Sequence, residues 1–257
     1  MKIQLIRNAT IKLNYAGKVF LIDPYLGKKH SQPSFAGISK NPTVNLPINA
    51  KDVLKGTDFV LVSHMHPDHF DEAAEKLIPK NFAIYCQPED QSALTLKGFT
   101  NVNSIPMKLQ IGEITIRRTI GQHGYGSRLN MMGNVSGYIF QHKDEPTLYW
   151  MGDTVWYDKV KRIIKKVNPD IIITHSCGAI WSQGELPVIM DEKQTVEVCR
   201  FAPNAKVVAT HMEALDLATI SRKDLKNYAI KNAISNTQLL IPEDGEEIYF
   251  YKQLLPR

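Results

Sequence analysis

A mixed α/β fold in a single domain, residues 1–257, is predicted by three observations. Short apolar, β-branched runs recur from one end of the chain to the other; stretches with helical spacing alternate with them; and no long run of Gly, Ser or Pro divides two halves. A chain of 257 residues can bury one sizeable core or split into two small ones, and the absence of a linker favours the first.

The elements follow in order. Met1 to Arg7 holds too short an apolar stretch for a signal peptide and reads as a first strand over Ile3 to Ile6, with another over Val19 to Ile22. Asp58-Phe59-Val60-Leu61-Val62-Ser63 is short, β-branched and aromatic, the pattern of a buried strand. Asp71 is placed to cap a helix from Glu72 to Ile78, which Pro79 closes. Further helices are expected near residues 89 to 97, 156 to 167, 192 to 201 and 222 to 234. Strands are expected at 147 to 151, 170 to 174, 205 to 209 and 248 to 251. No sequence repeat between the halves is visible.

Composition excludes several functions. The net charge of +5 is mildly basic and its lysines are scattered, apart from Lys159, Lys161, Arg162, Lys165 and Lys166, which share a helical face. Without interleaved aromatics or a binding fold that run reads as a solvated face, and no nucleic acid is expected as partner. Cys86, Cys177 and Cys199 lie far apart with no paired spacing, as reduced thiols do. No segment approaches the roughly 20 apolar residues needed to span a bilayer, so a cytoplasmic location is expected. Nothing in the sequence selects an oligomeric state.

The chemistry concentrates in Ser63-His64-Met65-His66-Pro67-Asp68-His69, directly behind the buried strand and before the Asp71 cap. In extended backbone His64 and His66 point the same way and can clasp one ion, while Asp68 and His69 face a neighbouring position. Neutral imidazole and carboxylate suit divalent zinc, manganese or iron. His123, Asp153 and His211 are single residues far apart that would each alone read as structural, although each stands beside glycine or at a strand end, where α/β proteins display functional groups.

With those residues in view, the chain resembles the metallo-β-lactamase-fold hydrolases, whose signature is His-x-His-x-Asp-His after a strand. Leu21-Ile22-Asp23-Pro24, Gln122-His123-Gly124, Gly152-Asp153-Thr154 and Thr210-His211-Met212-Glu213 resemble its other motifs, in family order. Within the superfamily the chain looks closest to ascorbate 6-phosphate lactonase and the N-acyl-phosphatidylethanolamine phospholipase D enzymes. The resemblance implies a four-layer αββα sandwich. It also implies that His64, His66 and His123 hold one metal, that Asp68, His69 and His211 hold a second, that Asp153 lies between them, and that Asp23 props the metal loop from behind.

Two divalent ions about 4 Å apart would lower the pKa of a shared water toward about 7, making solvent the nucleophile. Asp68 and Asp153 are then the catalytic carboxylates. Zinc or manganese is expected, with iron or nickel compatible with the same all-nitrogen-and-oxygen donor set. Ser63 and Ser176 lack a Gly-x-Ser-x-Gly context, which argues against a serine nucleophile. The expected function is metal-dependent hydrolysis of a small-molecule ester, lactone or phosphodiester. A mononuclear iron dioxygenase of the same fold and a non-catalytic metal-binding protein are the alternatives, and the intact Asp68-His69 pair argues against both.

Substrate contacts are expected from loops flanking the motifs: Tyr125, Arg128, His175, Trp181 and Glu213, with Tyr25, His30 and Trp156 as weaker candidates. Arg128 is singled out because a guanidinium near metals would hold a phosphate or carboxylate; a hydrogen-bonded structural role is the expectation set against a pocket role for His175. Gly124, Gly126, Gly133 and Gly137 mark either a mobile loop over the metals or tight turns.

Overall fold

The computed structural model describes residues 1–182 and 184–252. Its first half runs β1 (Lys2–Arg7), β2 (Thr10–Tyr15), β3 (Lys18–Ile22), α1 (Ala50–Leu54), β4 (Phe59–Val62), α2 (Glu72–Leu77), β5 (Ile84–Cys86), α3 (Gln91–Leu96) and β6 (Val102–Ser104). Its second half runs β7 (Lys108–Ile111), β8 (Ile114–Ile120), α4 (Ser127–Met132), β9 (Ser136–Gln141), β10 (Leu148–Trp150), α5 (Asp158–Val167), β11 (Ile171–His175), α6 (Glu192–Phe201), β12 (Lys206–Thr210), α7 (Arg222–Lys231), β13 (Leu239–Leu240) and β14 (Glu247–Tyr249).

Two seven-stranded sheets result, ordered β14-β1-β2-β3-β4-β5-β6 and β7-β8-β9-β10-β11-β12-β13. In both, the first three pairings are antiparallel and the last three parallel. The two sheets therefore share one order of pairings, β14 returning from the end of the chain to complete the first, although the sequences of the halves show no repeat. Between the sheets lies a core in which Leu13, Phe20, Ile22 and Leu61 meet Ile116, Tyr138, Phe140, Trp150, Ile173 and Val208. The outer face of the first sheet buries Leu21, Val60 and Val62 against Val53 of α1, Ala74 of α2 and Leu94 of α3. That of the second buries Tyr149, Ile172 and Val207 against Val160 and Ile164 of α5, Val196 and Cys199 of α6, and Leu225 of α7. Helices outside two stacked sheets make the four layers αββα. Burial on both faces explains why β11 is apolar for most of its length, since each fully buried aliphatic side chain contributes about 1.5–3 kcal/mol.

Several elements differ in extent from the sequence pattern. The stretch at 89 to 97 divides into a 3₁₀ turn, Pro88–Asp90, and α3. The helix expected to 234 stops at Lys231, because Ala233 turns left-handed (φ 58°) and the Ile234 amide donates to the Ala229 carbonyl, closing the helix. α5 starts at Asp158 rather than 156, with Lys159, Arg162, Lys165 and Lys166 exposed, as a solvated face requires. The three cysteines are free and buried. No helix among the described residues is long and apolar enough to cross a membrane.

Candidate metal centre

The loops that leave the C-terminal ends of β3, β4, β10, β11 and β12 converge where the two sheets meet. β4 delivers Ser63 and His64; the turn that follows delivers His66, Asp68 and His69, closed by the His69 amide donating to the His66 carbonyl at 2.9 Å. The Asp71 side chain caps α2 by accepting from the Ala74 amide and also accepts from the Leu26 and Gly27 amides, tying this turn to the loop after β3. Gly152 turns the chain into Asp153 at φ +68°, and a Cβ there would sit 2.4 Å from the Ser136 carbonyl oxygen, so only glycine fits. His211 (φ 61°) is held by its amide donating to the carbonyl of Asn8, itself at φ 57°. Left-handed non-glycine residues of this kind gather at functional sites, where the surrounding structure enforces them.

Two groups of donor atoms result, each within 4.8 Å: His64, His66, His123 and Asp153, and His69, Asp153, His175 and His211. Asp153 stands between them. Its Oδ2 lies 3.2 Å from His69 Nε2, 3.3 Å from His123 Nε2 and 3.8 Å from His64 Nε2, and its Oδ1 lies 3.7 Å from His211 Nε2. Asp68 joins the second group, its Oδ2 3.0 Å from His211 Nε2 and 3.5 Å from His69 Nε2. All these residues except the half-buried His66 are buried.

The outward nitrogens fix which way each ring presents its lone pair. His69 Nδ1 donates to Asp23 Oδ2 at 2.7 Å and His123 Nδ1 donates to the Val188 carbonyl at 2.9 Å. The Ser63 hydroxyl donates to Asp23 Oδ2, so its oxygen accepts from His64 Nδ1 at 2.8 Å. Each Nε2 is thereby turned inward as a donor to a cation. His64 Nε2 and His66 Nδ1 stand 2.9 Å apart, so that His66 Nδ1–H donates to His64 Nε2, and the two rings converge closely enough to serve one ion. This donor set fits divalent metal.

Electrostatics agree. Burial lowers the pKa of His64 well below its usual range and that of His123 to about 4, keeping both neutral. Burial pushes His69 the same way, but the carboxylates of Asp153, Asp68 and Asp23 outweigh it and raise His69 to about 10; Asp153 and Asp68 likewise raise His211. Burial opposes ionisation of Asp153 too, yet His69, His211 and His123 hold its carboxyl well below the usual range. The carboxylates thus favour positive charge at this place, which is what a cation site requires.

A cavity of about 260 Å³ opens onto the centre at His66, Asp68, His123, Asp153 and His211. Its other walls are apolar: Phe35, Met131 and Met132, Ala179, Trp181, Val188, Ile189, Leu215 and Leu217, with Pro67. Of the substrate candidates from sequence, Trp181 lies on this wall. Arg128 does not: its guanidinium makes a paired contact with Glu185 at 2.7 and 2.6 Å, joining α4 to the loop after β11. Glu213 accepts from the Arg222 backbone and side chain at 2.9 and 2.6 Å, away from the cavity. The Tyr125 hydroxyl meets Gln194 at 3.4 Å, and His175 is buried behind Asp153. Tyr25 is buried under the Arg7 guanidinium, His30 is exposed, and Trp156 packs on Phe201. Of the glycines, Gly126 and Gly133 flank the short α4, whose Met131 and Met132 reach the cavity, whereas Gly137 lies in β9.

Sequence reasoning missed Asn8, whose Nδ2 lies 3.3 Å from both Asp68 Oδ2 and His211 Nε2, and Cys177, whose Sγ lies 3.7 Å from His211 Nδ1. An asparagine in a hairpin turn is an ordinary turn residue, so no local signal marks it.

Comparison with known proteins bears on the same region. Residues 18–212 match a family described as the beta-lactamase superfamily domain. The UPF0173 protein YddR of Bacillus subtilis (strain 168) is 40% identical over 257 residues, covering 97% of this chain and 100% of that protein. An isothiocyanate hydrolase from Delia radicum gut bacteria superposes with a TM-score of 0.91 at 35% identity, covering 98% of this chain and 99% of the other. A possible metal-dependent hydrolase from Veillonella parvula DSM 2008 does so with a TM-score of 0.92 at 36% identity, covering 96% and 98%.

Proposed function

Because this chain belongs to the beta-lactamase superfamily and within it to the UPF0173 metal-dependent hydrolases, we propose that it hydrolyses a small, uncharged electrophile carrying an apolar substituent, with two divalent ions at the centre. His64, His66 and His123 would hold one ion and Asp68, His69 and His211 the other, with Asp153 shared between the two sets. Such ions, when bound, bring water toward ionisation at neutral pH and polarise the bond under attack. Asp153 and Asp68 fix the spacing and keep the centre's charge low, while Asp23 and Ser63 hold the imidazoles in the ligating tautomer.

The observation that carries the substrate class is the cavity wall. It holds no lysine or arginine among the described residues, and Arg128, the guanidinium best placed in sequence for an anion, is spent on Glu185. A phosphodiester or phosphorylated lactone would enter without a counter-charge other than the ions themselves. An apolar group on an uncharged carbon electrophile would instead pack on Phe35, Met131 and Trp181. The isothiocyanate hydrolase likeness supports one such class. For an isothiocyanate, water oxygen bonds to the central carbon, the nitrogen takes both protons, and cleavage of the carbon–nitrogen bond leaves an amine and carbonyl sulfide.

The test is elemental analysis of protein purified without added metal, followed by assays on alkyl and aryl isothiocyanates, uncharged lactones and phosphodiesters before and after chelation. The expected result is bound divalent metal with chelator-sensitive turnover of an uncharged substrate, amine release from isothiocyanates being measured first. Preference for the phosphodiester would overturn the substrate class; one equivalent of iron without hydrolysis would overturn the reaction.

A further inference from the structure

His175 ends β11 with its ring buried, 1% exposed, beneath Asp153. Its Nδ1 lies 2.6 Å from Asp153 Oδ1, the closest polar contact that Asp153 makes with any histidine of the centre. Its Nε2 is buried and has no hydrogen-bond partner. The ring packs nearly perpendicular to that of Trp150, centroids 5.1 Å apart at 81°, which restricts its plane. A buried imidazole satisfied on one side only stands in exchange for something else, because desolvating the second nitrogen is unfavourable. The one polar partner it has is the carboxylate between the two ion positions. As a carboxylate only accepts, the hydrogen between them belongs to Nδ1.

From this we infer that His175 is the positioning residue of the metal centre: it anchors Asp153 Oδ1 through Nδ1–H, leaving Oδ2 directed at His69, His123 and His64. The same anchoring is done for the histidine loop on the opposite sheet by Asp23, which accepts from the Ser63 amide and hydroxyl at the end of β4. β11 and β4 hold corresponding places in the two sheets, next to the strands that precede Asp153 and Asp23. Each carboxylate is thus held from the end of the neighbouring parallel strand. The inference rests on the two-ion reading above.

The experiment is zinc titration of the full chain against a chromophoric chelator, for wild type, His175→Leu and His175→Asn, with thermal melts as controls for folding. An asparagine amide presents a donor close to the place of Nδ1, whereas leucine presents none. The expected result is a roughly 10–100-fold loss of zinc affinity in His175→Leu, the cost typical of removing a group that orients a metal ligand, and wild-type affinity within about threefold in His175→Asn. Equal weakening in both variants, or none in His175→Leu, overturns the inference. Nitrogen-15 spectra of histidine-labelled wild type give a readout of the proton itself, which requires only that His175→Asn fold well enough to assign one signal. His175, assigned by its absence from His175→Asn, should keep its Nδ1–H tautomer as zinc is added, while the ligand histidines shift. Loss of that proton on zinc binding makes His175 a ligand and also overturns it. A wild type that takes up no zinc defeats the two-ion reading itself, an outcome separate from either variant result.

Discussion

At the residue scale, each member of the centre is fixed by a partner of definite chemistry. His66 and Asp153 differ in what surrounds them. His66 is half-buried on the cavity side, and Asp153 is buried with contacts to five imidazoles. His66→Ala or Asp153→Ala is expected to lower turnover by more than the roughly 10–100-fold that loss of a supporting group costs, with circular dichroism unchanged, since neither side chain belongs to the apolar cores. Wild-type turnover in His66→Ala would defeat the ligand assignment. Asp90 gives a separate pH test far from turnover. Burial, with Glu89 and Asp23 nearby, raises its carboxyl to about 6 from 3.8, against the opposing hydrogen bond from Gln87 Nε2. A raised carboxyl pKa in the folded state means that its contribution is fully present below 3.8 and is lost as pH rises through about 6. Asp90→Asn keeps the acceptor for Gln87 without the charge. Its melting temperature should therefore gain on wild type as pH goes from 4 to 8; a difference independent of pH would refute the assignment.

At the element scale, the cavity walls are carried by segments anchored individually. Asp216 accepts from the amides of Phe35, Ala36, Ile38 and Ser39 at 3.1–3.2 Å and from Asn41 Nδ2 at 2.8 Å, so one carboxylate holds the loop that presents Phe35. Asp216→Ala leaves several amides without a partner. It should raise KM for an apolar substrate and open residues 33–41 to proteolysis, with metal content unchanged, as measured by limited digestion and elemental analysis. A digestion pattern identical to wild type would count against this. The start of α2 was legible because its cap, Asp71, is a local signal; the 192–201 helix was legible from its spacing, and the structure adds that Asp191 caps it by accepting from the Gln194 amide. α1 and α4 were not legible, because five or six residues give too short a window for helical periodicity. The half-exposed β6 and β7 show little apolar signal for the same reason that they sit at sheet edges.

At the scale of the whole molecule, two sheets with one order of pairings are stacked, and the candidate centre gathers side chains from both halves of the chain. Its precision depends on the core between the sheets. Phe140 is fully buried there, edge-on to Tyr15 and Phe20 at 5.7 and 5.4 Å, joining one sheet to the other. Phe140→Ala is expected to cost about 3–5 kcal/mol in denaturant unfolding, with an unchanged slope. A cost under about 1 kcal/mol would show that the sheets close over the gap.

Sequence alone determined that His64, His66, Asp68 and His69 lie together, since they are neighbours in the chain and share one turn whatever the rest does. It also determined the alternation of strands and helices, because side-chain periodicity is set within a few residues. The family resemblance located His123, Asp153 and His211, which spacing by itself could not join. Tertiary structure decided the rest. Arg128 finds Glu185 across 57 residues and Asp153 finds His175 across 22, so whether a charged or titratable side chain faces substrate, metal or another side chain depended on how the sheets stack. The apolar wall likewise draws on loops after β3, β4 and β12, on α4 and on the loop after β11. Burial and partner choice are properties of packed surfaces, and no stretch of neighbouring residues encodes which distant surface will cover it.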